Sequence, residues 1–437
     1  MSPRVLRGAT LLSAAAVLIV SGAAMSRSTT AAAPCDPDNA SLTLPAGFCA
    51  TVFATGLGAP RHMVVAPNGD VLVIINPFAT NAEAGGAREG GSLTLLRDAN
   101  GDGKAEFRKK LAPGSGTGIG LHGGYVYFST ASTIVRASYR AGDTTIGPVE
   151  TVIADLPNNG NHRANNFVIN GSTLYLNVGS ATNSCQNPDR KPGVKGVDPC
   201  VELETRAGIW AFDADKTGQH MADGTHYATG IRNSVSLTVD PRDNTLWATM
   251  HGRDGLQSPP VGQWTFTNEY GAENPAEQVN HITKGSNFGW PYCYFSTEEE
   301  KLVTAPEYGG DGKKSDRCAD KSQPVYWFPA HWAPNDMMFY SGKQFPAEYR
   351  AGAFVAFHGS WNRAPLPQQG FRVVFLPISG GKAGTHKDFA TDFSNNGGPG
   401  KDGHLHRPTG LAQGTDGSVY IADDVGGTIY KVSYKGK

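Results

Sequence analysis

The chain has no Cys-x-x-Cys pair, no Lys/Arg-rich run, no clear helical periodicity and no apolar run long enough to span a bilayer comfortably. Each absence excludes something. Without Cys-x-x-Cys the six cysteines make a poor metal site, and without Cys-x-x-Cys-His the chain attaches no haem of its own. Without a basic stripe, nucleic-acid binding has no electrostatic support. The charges nearly cancel, 38 Lys and Arg against 39 Asp and Glu. The apolar stretch from Ala9 to Val20 falls short of the about 20 residues that a transmembrane helix needs. It follows Arg4 and Arg7 and precedes Ser21, Gly22, Ala23 and Ala24, the three-part order of a secretory signal. Residues 1–33 therefore read as a signal peptide with a flexible Ser/Thr/Ala segment, and the protein as secreted or periplasmic. An uncleaved membrane anchor is the alternative.

What is abundant is glycine, 55 residues, and a recurring strand-turn-strand unit. Met63 to Ile75 is the clearest case, two apolar runs around a Pro-Asn-Gly-Asp turn whose Asn and Gly tolerate positive φ. Similar units run from Gly118 to Ser129, Asn166 to Asn177, Ser236 to Thr249 and Thr409 to Ala422, with a looser one from Met337 to Phe357. Such a hairpin cannot bury its faces alone, whereas six closed into a ring cover both faces and leave only protected edges. The reading is all-β, a six-bladed β-propeller over residues 34–437. Two packed sheets are the alternative. Spacing of roughly 45 to 100 residues between units, uneven against the usual propeller period, implies loop insertions. The largest lies between Asn233 and His331. Six cysteines allow 15 pairings, of which short loop closure favours Cys35–Cys49, Cys185–Cys200 and Cys293–Cys318, in an oxidising compartment.

Each unit is preceded by a polar element: Arg61-His62, Gly116-Thr117, His162-Arg163, Arg232-Asn233, His331-Trp332 and His406-Arg407. In a propeller the corresponding loop of every blade points to one rim, so these residues are expected to converge. A ring of arginines fits a polyanion, because each guanidinium grips a carboxylate with two hydrogen bonds. A histidine beside such a ligand serves as a general base near neutral pH. The residues by themselves predict an anionic ligand on a propeller rim with a base beside it.

Five ordered segments carry a resemblance. They run from Asn161 to Ile169, Gly230 to Asn233, Trp247 to Gly252, Asn280 to Pro291 and His406 to Leu411. Together they resemble the soluble pyrroloquinoline quinone-dependent sugar dehydrogenases. His331 to Tyr340 and Phe357 to Arg363 are closer to the sorbosone and pyranose dehydrogenase branch. The resemblance extends from about Leu44 to Val432. It implies an oxidoreductase that moves a hydride from a sugar or sugar-derived aldehyde to pyrroloquinoline quinone, with calcium as second cofactor. His162 matches the catalytic base. Arg232 matches the arginine on the quinone oxygens and Asn233 its neighbour, while Arg407 and Arg61 match carboxylate-binding positions. The family's fifth-blade lysine falls within His358 to Arg363, where Arg363 is taken to supply the charge. Gly252 and Arg253 match carbonyls that ligate calcium, and Glu277 an acidic calcium ligand.

The chain also departs from that pattern. Gln278 stands where relatives carry a second acid, which puts a second structural calcium in doubt, and Thr409 stands where the glucose-oxidising branch has another arginine. A separate loop, Asp98 to Glu106, sets oxygen donors at positions one, three, five and nine of an EF-hand-like pattern. Lys109 at position twelve excludes a standard EF-hand, and a solvated turn explains the loop equally well. The electron acceptor must be a separate molecule, a cytochrome or a quinone. Two other readings stay open: a calcium-dependent lactonase, which needs several acidic side chains at the channel, and a non-catalytic binding propeller.

Overall fold

The computed structural model describes Met1 and residues 35–76, 90–257, 266–393 and 406–436. The signal reading of residues 1–33 lies outside these apart from Met1. The chain folds as six sheets arranged as the blades of a propeller, antiparallel except where the short strand Gln219–His220 runs parallel at the edge of the second. The innermost strands are Ala59–Val65, Ile119–His122, Phe167–Asn170, Leu237–Asp240, Pro334–Phe339 and Pro408–Gln413. Each neighbours the innermost strands on either side, the last returning to the first, so the ring is closed.

Each sequence unit forms the two inner strands of one blade. Val71–Asn76 shows why these strands read so clearly. All six of its residues are buried. Successive side chains point to opposite faces. Val71, Val73 and Ile75 pack with Tyr420 and Ile429 of the sixth blade. Leu72 and Ile74 pack with Val126 and Phe128 of the second. A strand sandwiched between two blades has no solvent face and reads as a continuous apolar run.

The sixth blade takes its outermost strand from the other end of the chain. Phe48–Ala54 pairs antiparallel with Thr428–Tyr434, Phe48 opposite Tyr434 and Val52 opposite Tyr430. Phe48 fixes the join, meeting Phe345, Tyr349, Phe389 and Tyr434 edge-on at centroid distances of 4.8 to 5.2 Å.

The insertions are tied to the ring. Cys35–Cys49, Cys185–Cys200 and Cys293–Cys318 are bonded, as expected from their spacing. Such bonds fit an oxidising compartment. The long segment before His331 supplies the fourth blade's outer strands, a side hairpin, Cys293–Ser296 with Lys301–Thr304, and the short helix Asn268–Glu273. Among the described residues no helix is long and apolar enough to cross a membrane.

Candidate active site

In an antiparallel hairpin the start of the first strand lies beside the end of the second. Pro334 pairs with Phe357 and Pro408 with Asp423 in this way. The rim is therefore built from two sets of loop residues. One precedes each innermost strand and holds His162, Arg232, His331 and Arg407. The other follows each second strand and holds Ser180, His251 to Asp254, His358 to Asn362 and Asp424. Only the first set shows a repeated offset in the sequence.

These sets meet in one open cleft, with an empty volume of about 620 Å³ up to its mouth. His162, Arg232, Asn233, Gly252, Glu277 and Arg407 all line it, as expected, and His331 joins them. Arg190, His251, Asp254, His358, Trp361 and Asn362 line it too. Trp361 stands at the rim with 65% of its surface exposed.

Arg232 and Asp254 form the hub. The Asp254 carboxylate receives Arg232 Nη2 at 3.1 Å, Arg190 Nη2 at 2.9 Å and Asn362 Nδ2 at 2.8 Å. Burial opposes its ionisation, but Arg232 and then Arg190 outweigh that and hold it far below the usual carboxylate range. Arg232 also donates to the Asn183 carbonyl at 3.2 Å, to Asn183 Oδ1 at 2.9 Å and to the Gly252 carbonyl at 3.0 Å. Its plane is thus set before any ligand arrives.

His162 Nδ1 lies 3.0 Å from the Ser180 carbonyl and 2.9 Å from Ser180 Oγ. The carbonyl only accepts, and Oγ already donates to the Thr182 carbonyl at 2.6 Å. Nδ1 must therefore carry the proton, which leaves Nε2 bare. Burial, then the charge of Arg232, keeps the ring's pKa well below 6.5. His162 is a neutral imidazole with one free lone pair on the wall of a cationic cleft, and it can take a proton.

Arg407 donates through Nε to the His358 carbonyl at 2.7 Å and through Nη2 to the Gly359 carbonyl. Burial lowers its pKa to about 10. Arg61 is buried behind this wall and pairs with Asp424, which also accepts His358 Nε2–H at 2.7 Å. Arg61 thus reaches the cleft only through its partners.

One expectation is corrected in place. Arg363 does not line the cleft. Its guanidinium is held by the carbonyls of Ala272, Ala330 and Pro367 at 2.8, 3.0 and 3.1 Å. Sequence shows that a charge is present but not where it points. The Arg253 side chain turns into an adjoining hollow and pairs with Glu307 there. Arg190 lines the cleft as well, and nothing in the repeat pattern marked it, because it sits in the insertion closed by Cys185–Cys200.

Oxygen donors for a hard cation are present on the wall. Glu277 accepts the amides of Gly252 at 2.9 Å and Ala333 at 3.1 Å, and burial pushes its pKa to about 7. Asn233 Oδ1 is buried without a partner. A carboxylate at that depth and an unpaired amide oxygen fit an oxygen-seeking ion. Asp254 and Glu277 are the only carboxylates lining the cleft among the described residues, and two arginines already claim Asp254. That is too few for an acid-rich lactonase site. In the separate loop, Asp98, Asp102 and Glu106 bring one oxygen each within 4.8 Å of the others. The Asp98 oxygens already accept the amides of Gly101, Asp102 and Gly103.

A TrAA12-like family model matches residues 42–435. The pyrroloquinoline quinone-dependent pyranose dehydrogenase of Coprinopsis cinerea is 27% identical over 275 residues, covering 54% of this chain and 36% of that protein. The chain spans about half or less of the length of the curated relatives it matches. Among solved structures, the holo pyranose dehydrogenase PQQ domain from Coprinopsis cinerea superposes with a TM-score of 0.71 at 24% identity, covering 90% of this chain and 97% of that one. A calcium structure of a Trichoderma reesei family AA12 enzyme gives 0.69 at 20% identity, covering 90% and 97%. At these identities the structural likeness establishes the fold.

Proposed function

Because this chain belongs to the TrAA12-like family, we propose that it is a sugar dehydrogenase that uses pyrroloquinoline quinone and calcium, with His162 as its base. The observation that carries this is the meeting of a neutral histidine and two arginines in one cleft. His162 presents a bare Nε2, while Arg232 and Arg407 bring positive charge from different blades. A tricarboxylate fits this donor set, since guanidinium groups bind carboxylates best of all side chains. Arg232 and Arg407, with Asn233, would hold the quinone, and Arg61 would support them from behind. Glu277 and the carbonyls of Gly252 and Arg253 would hold calcium. The quinone, when bound, supplies the acceptor for the hydride leaving the sugar carbon.

The rest of the chemistry belongs to the chain. His162 Nε2 takes the hydroxyl proton of the sugar carbon being oxidised. The Ser180 carbonyl fixes the ring so that this nitrogen stays bare. Arg232 stabilises negative charge as it develops, in a geometry that Asp254 and Asn183 have already set. Trp361 offers an apolar face at the mouth, where a pyranose ring can lie. The substrate class is an aldose or a hydrated aldehyde such as sorbosone, and the product a lactone or an acid. With no haem attachment motif in the chain, electrons pass to a separate cytochrome or quinone. The protein works outside the cytosol.

The test is reconstitution. Cofactor-free protein is mixed with pyrroloquinoline quinone and calcium, and dye reduction is followed over a panel of sugars. Activity should require both additions. His162→Ala should lose about 10²- to 10⁴-fold in kcat while binding the quinone as before. Hydrolysis of lactones without quinone, or normal turnover by the variant, would overturn the proposal.

A further inference from the structure

Beside the cleft lies a second hollow, with an empty volume of about 570 Å³ up to its mouth. Arg190 and Asp254 line both spaces and form the ridge between them. Their side chains are 35% and 19% exposed, so the ridge is open to solvent and a ligand can lie across it. The far wall is the loop of Lys191 to Val194, which belongs to the insertion closed by Cys185–Cys200. Gln186 Nε2 holds that loop in place, donating to the Val194 carbonyl at 2.7 Å and the Lys191 carbonyl at 3.3 Å. The hollow is thus built before any ligand arrives.

Its lining includes an ion pair, Arg253 with Glu307, whose side chains are only 7% and 8% exposed. A buried pair stabilises a fold little compared with apolar residues of the same shape. This one also keeps hydrogen-bonding capacity in reserve. Arg253 gives one N–H to Glu307, and its Nε and Nη2 donate to the Asp254 carbonyl at 3.2 Å each. One N–H on each terminal nitrogen is left without a partner among the described residues. On Glu307, Oε1 lies 3.4 Å from Ser184 Oγ, but that hydroxyl has one proton and stands closer, at 3.1 Å, to Gln186 Oε1. Glu307 Oε1 is then a charged acceptor with no donor among the described residues. The lining offers spare donors and a spare acceptor side by side.

That combination selects the ligand. An anion would meet Glu307 and Asp254, and a cation would meet Arg253, Arg190 and Lys191. A neutral apolar group would leave the pair unsatisfied. A hydroxyl both accepts and donates, so neighbouring hydroxyls can take the Arg253 N–H groups and give a proton to Glu307. Leu256 and Pro306 add apolar surface for the C–H face of a sugar ring.

Resting on the function proposed above, we propose that this hollow binds a second, neutral sugar unit, so that the substrate is a glycoside or short oligosaccharide. Its oxidised unit lies at His162, and its glycosidic link crosses the ridge of Arg190 and Asp254.

The experiment compares each aldose with its disaccharides on protein loaded with quinone and calcium: glucose with maltose and cellobiose, xylose with xylobiose, mannose with mannobiose. At least one disaccharide should exceed its monosaccharide about tenfold in kcat/KM, the size of one well-made hydrogen bond. Val194→Trp, a change on a half-buried loop residue that fills the hollow, should bring that ratio to about one. Binding is read separately by calorimetry with the methyl glycosides of the same sugars, whose blocked anomeric carbon is not oxidised. The disaccharide should bind about tenfold tighter to the wild type and no tighter to Val194→Trp. If sugars are oxidised but no disaccharide is preferred, or Val194→Trp keeps the preference, the inference is overturned and the functional proposal stands. If no sugar is oxidised, a binding preference lost in Val194→Trp upholds the hollow while the functional proposal falls. If neither oxidation nor that preference is seen, both fall.

Discussion

His162 shows how much one residue owes to its surroundings. Its sequence position, just ahead of an apolar strand, is enough to name it as a candidate base. The tautomer is not legible there, because it depends on the Ser180 carbonyl across the hairpin. The same holds for Arg232, whose partner Asp254 follows the second strand of its blade instead of preceding the first. A reader who had paired the two ends of each hairpin would have found Asp254 and His358 as well as Arg232 and His331. Arg363 marks the opposite failure, where a charged residue at a plausible position spends its donors on carbonyls behind the wall. The environment of His162 has a kinetic consequence. Burial and Arg232 lower its pKa well below 6.5, so as pH falls past 6.5 the ring remains in its base form. The acid limb of kcat/KM, which reports the free enzyme, should therefore lie well below pH 6.5. Arg232→Gln removes one lowering cause and should move that limb upward in the activity that remains. A limb fixed near 6.5 in both proteins would mean that His162 is solvated as an ordinary surface histidine.

At the scale of elements, the inner hairpins were legible and the outer strands were not. Inner strands are covered on both faces and appear as apolar runs. Phe107–Pro113 and Thr225–Thr229, on the blade edges, each bury a single residue and carry no such run. The insertion bridged by Cys185–Cys200 was legible only as a pair of cysteines at short range. The structure gives it a role in the site, because Asn183 and Arg190, on either side of Cys185, hold Arg232 and Asp254. Closing a loop of this length, a separation of 15 residues, is worth about 3 kcal/mol in the chain-entropy picture. Replacing both cysteines with serine should lower the thermal midpoint. It should also weaken quinone binding several-fold while the far-ultraviolet circular dichroism of the ring is kept. Unchanged quinone affinity in a destabilised variant would show that the loop supports the fold alone.

At the scale of the molecule, the ring is what makes the site. Arg61, His162, Arg232, His331 and Arg407 come from five blades, and no two of the five are neighbours in sequence. They meet because every innermost strand starts at the same rim, and the pairing of Phe48–Ala54 with Thr428–Tyr434 holds the circle shut. Six hairpin signals were enough to predict that circle. The uneven insertions hid which side chains would fill the space above it. The central claim is that this rim clasps a carboxylated redox cofactor between arginines of different blades. A crystal structure of the protein grown with pyrroloquinoline quinone and calcium tests it most directly. The account predicts one quinone per chain, in contact with both Arg232 and Arg407 and within reach of His162. A quinone bound elsewhere on the molecule, or an empty cleft at saturating concentration, would contradict it.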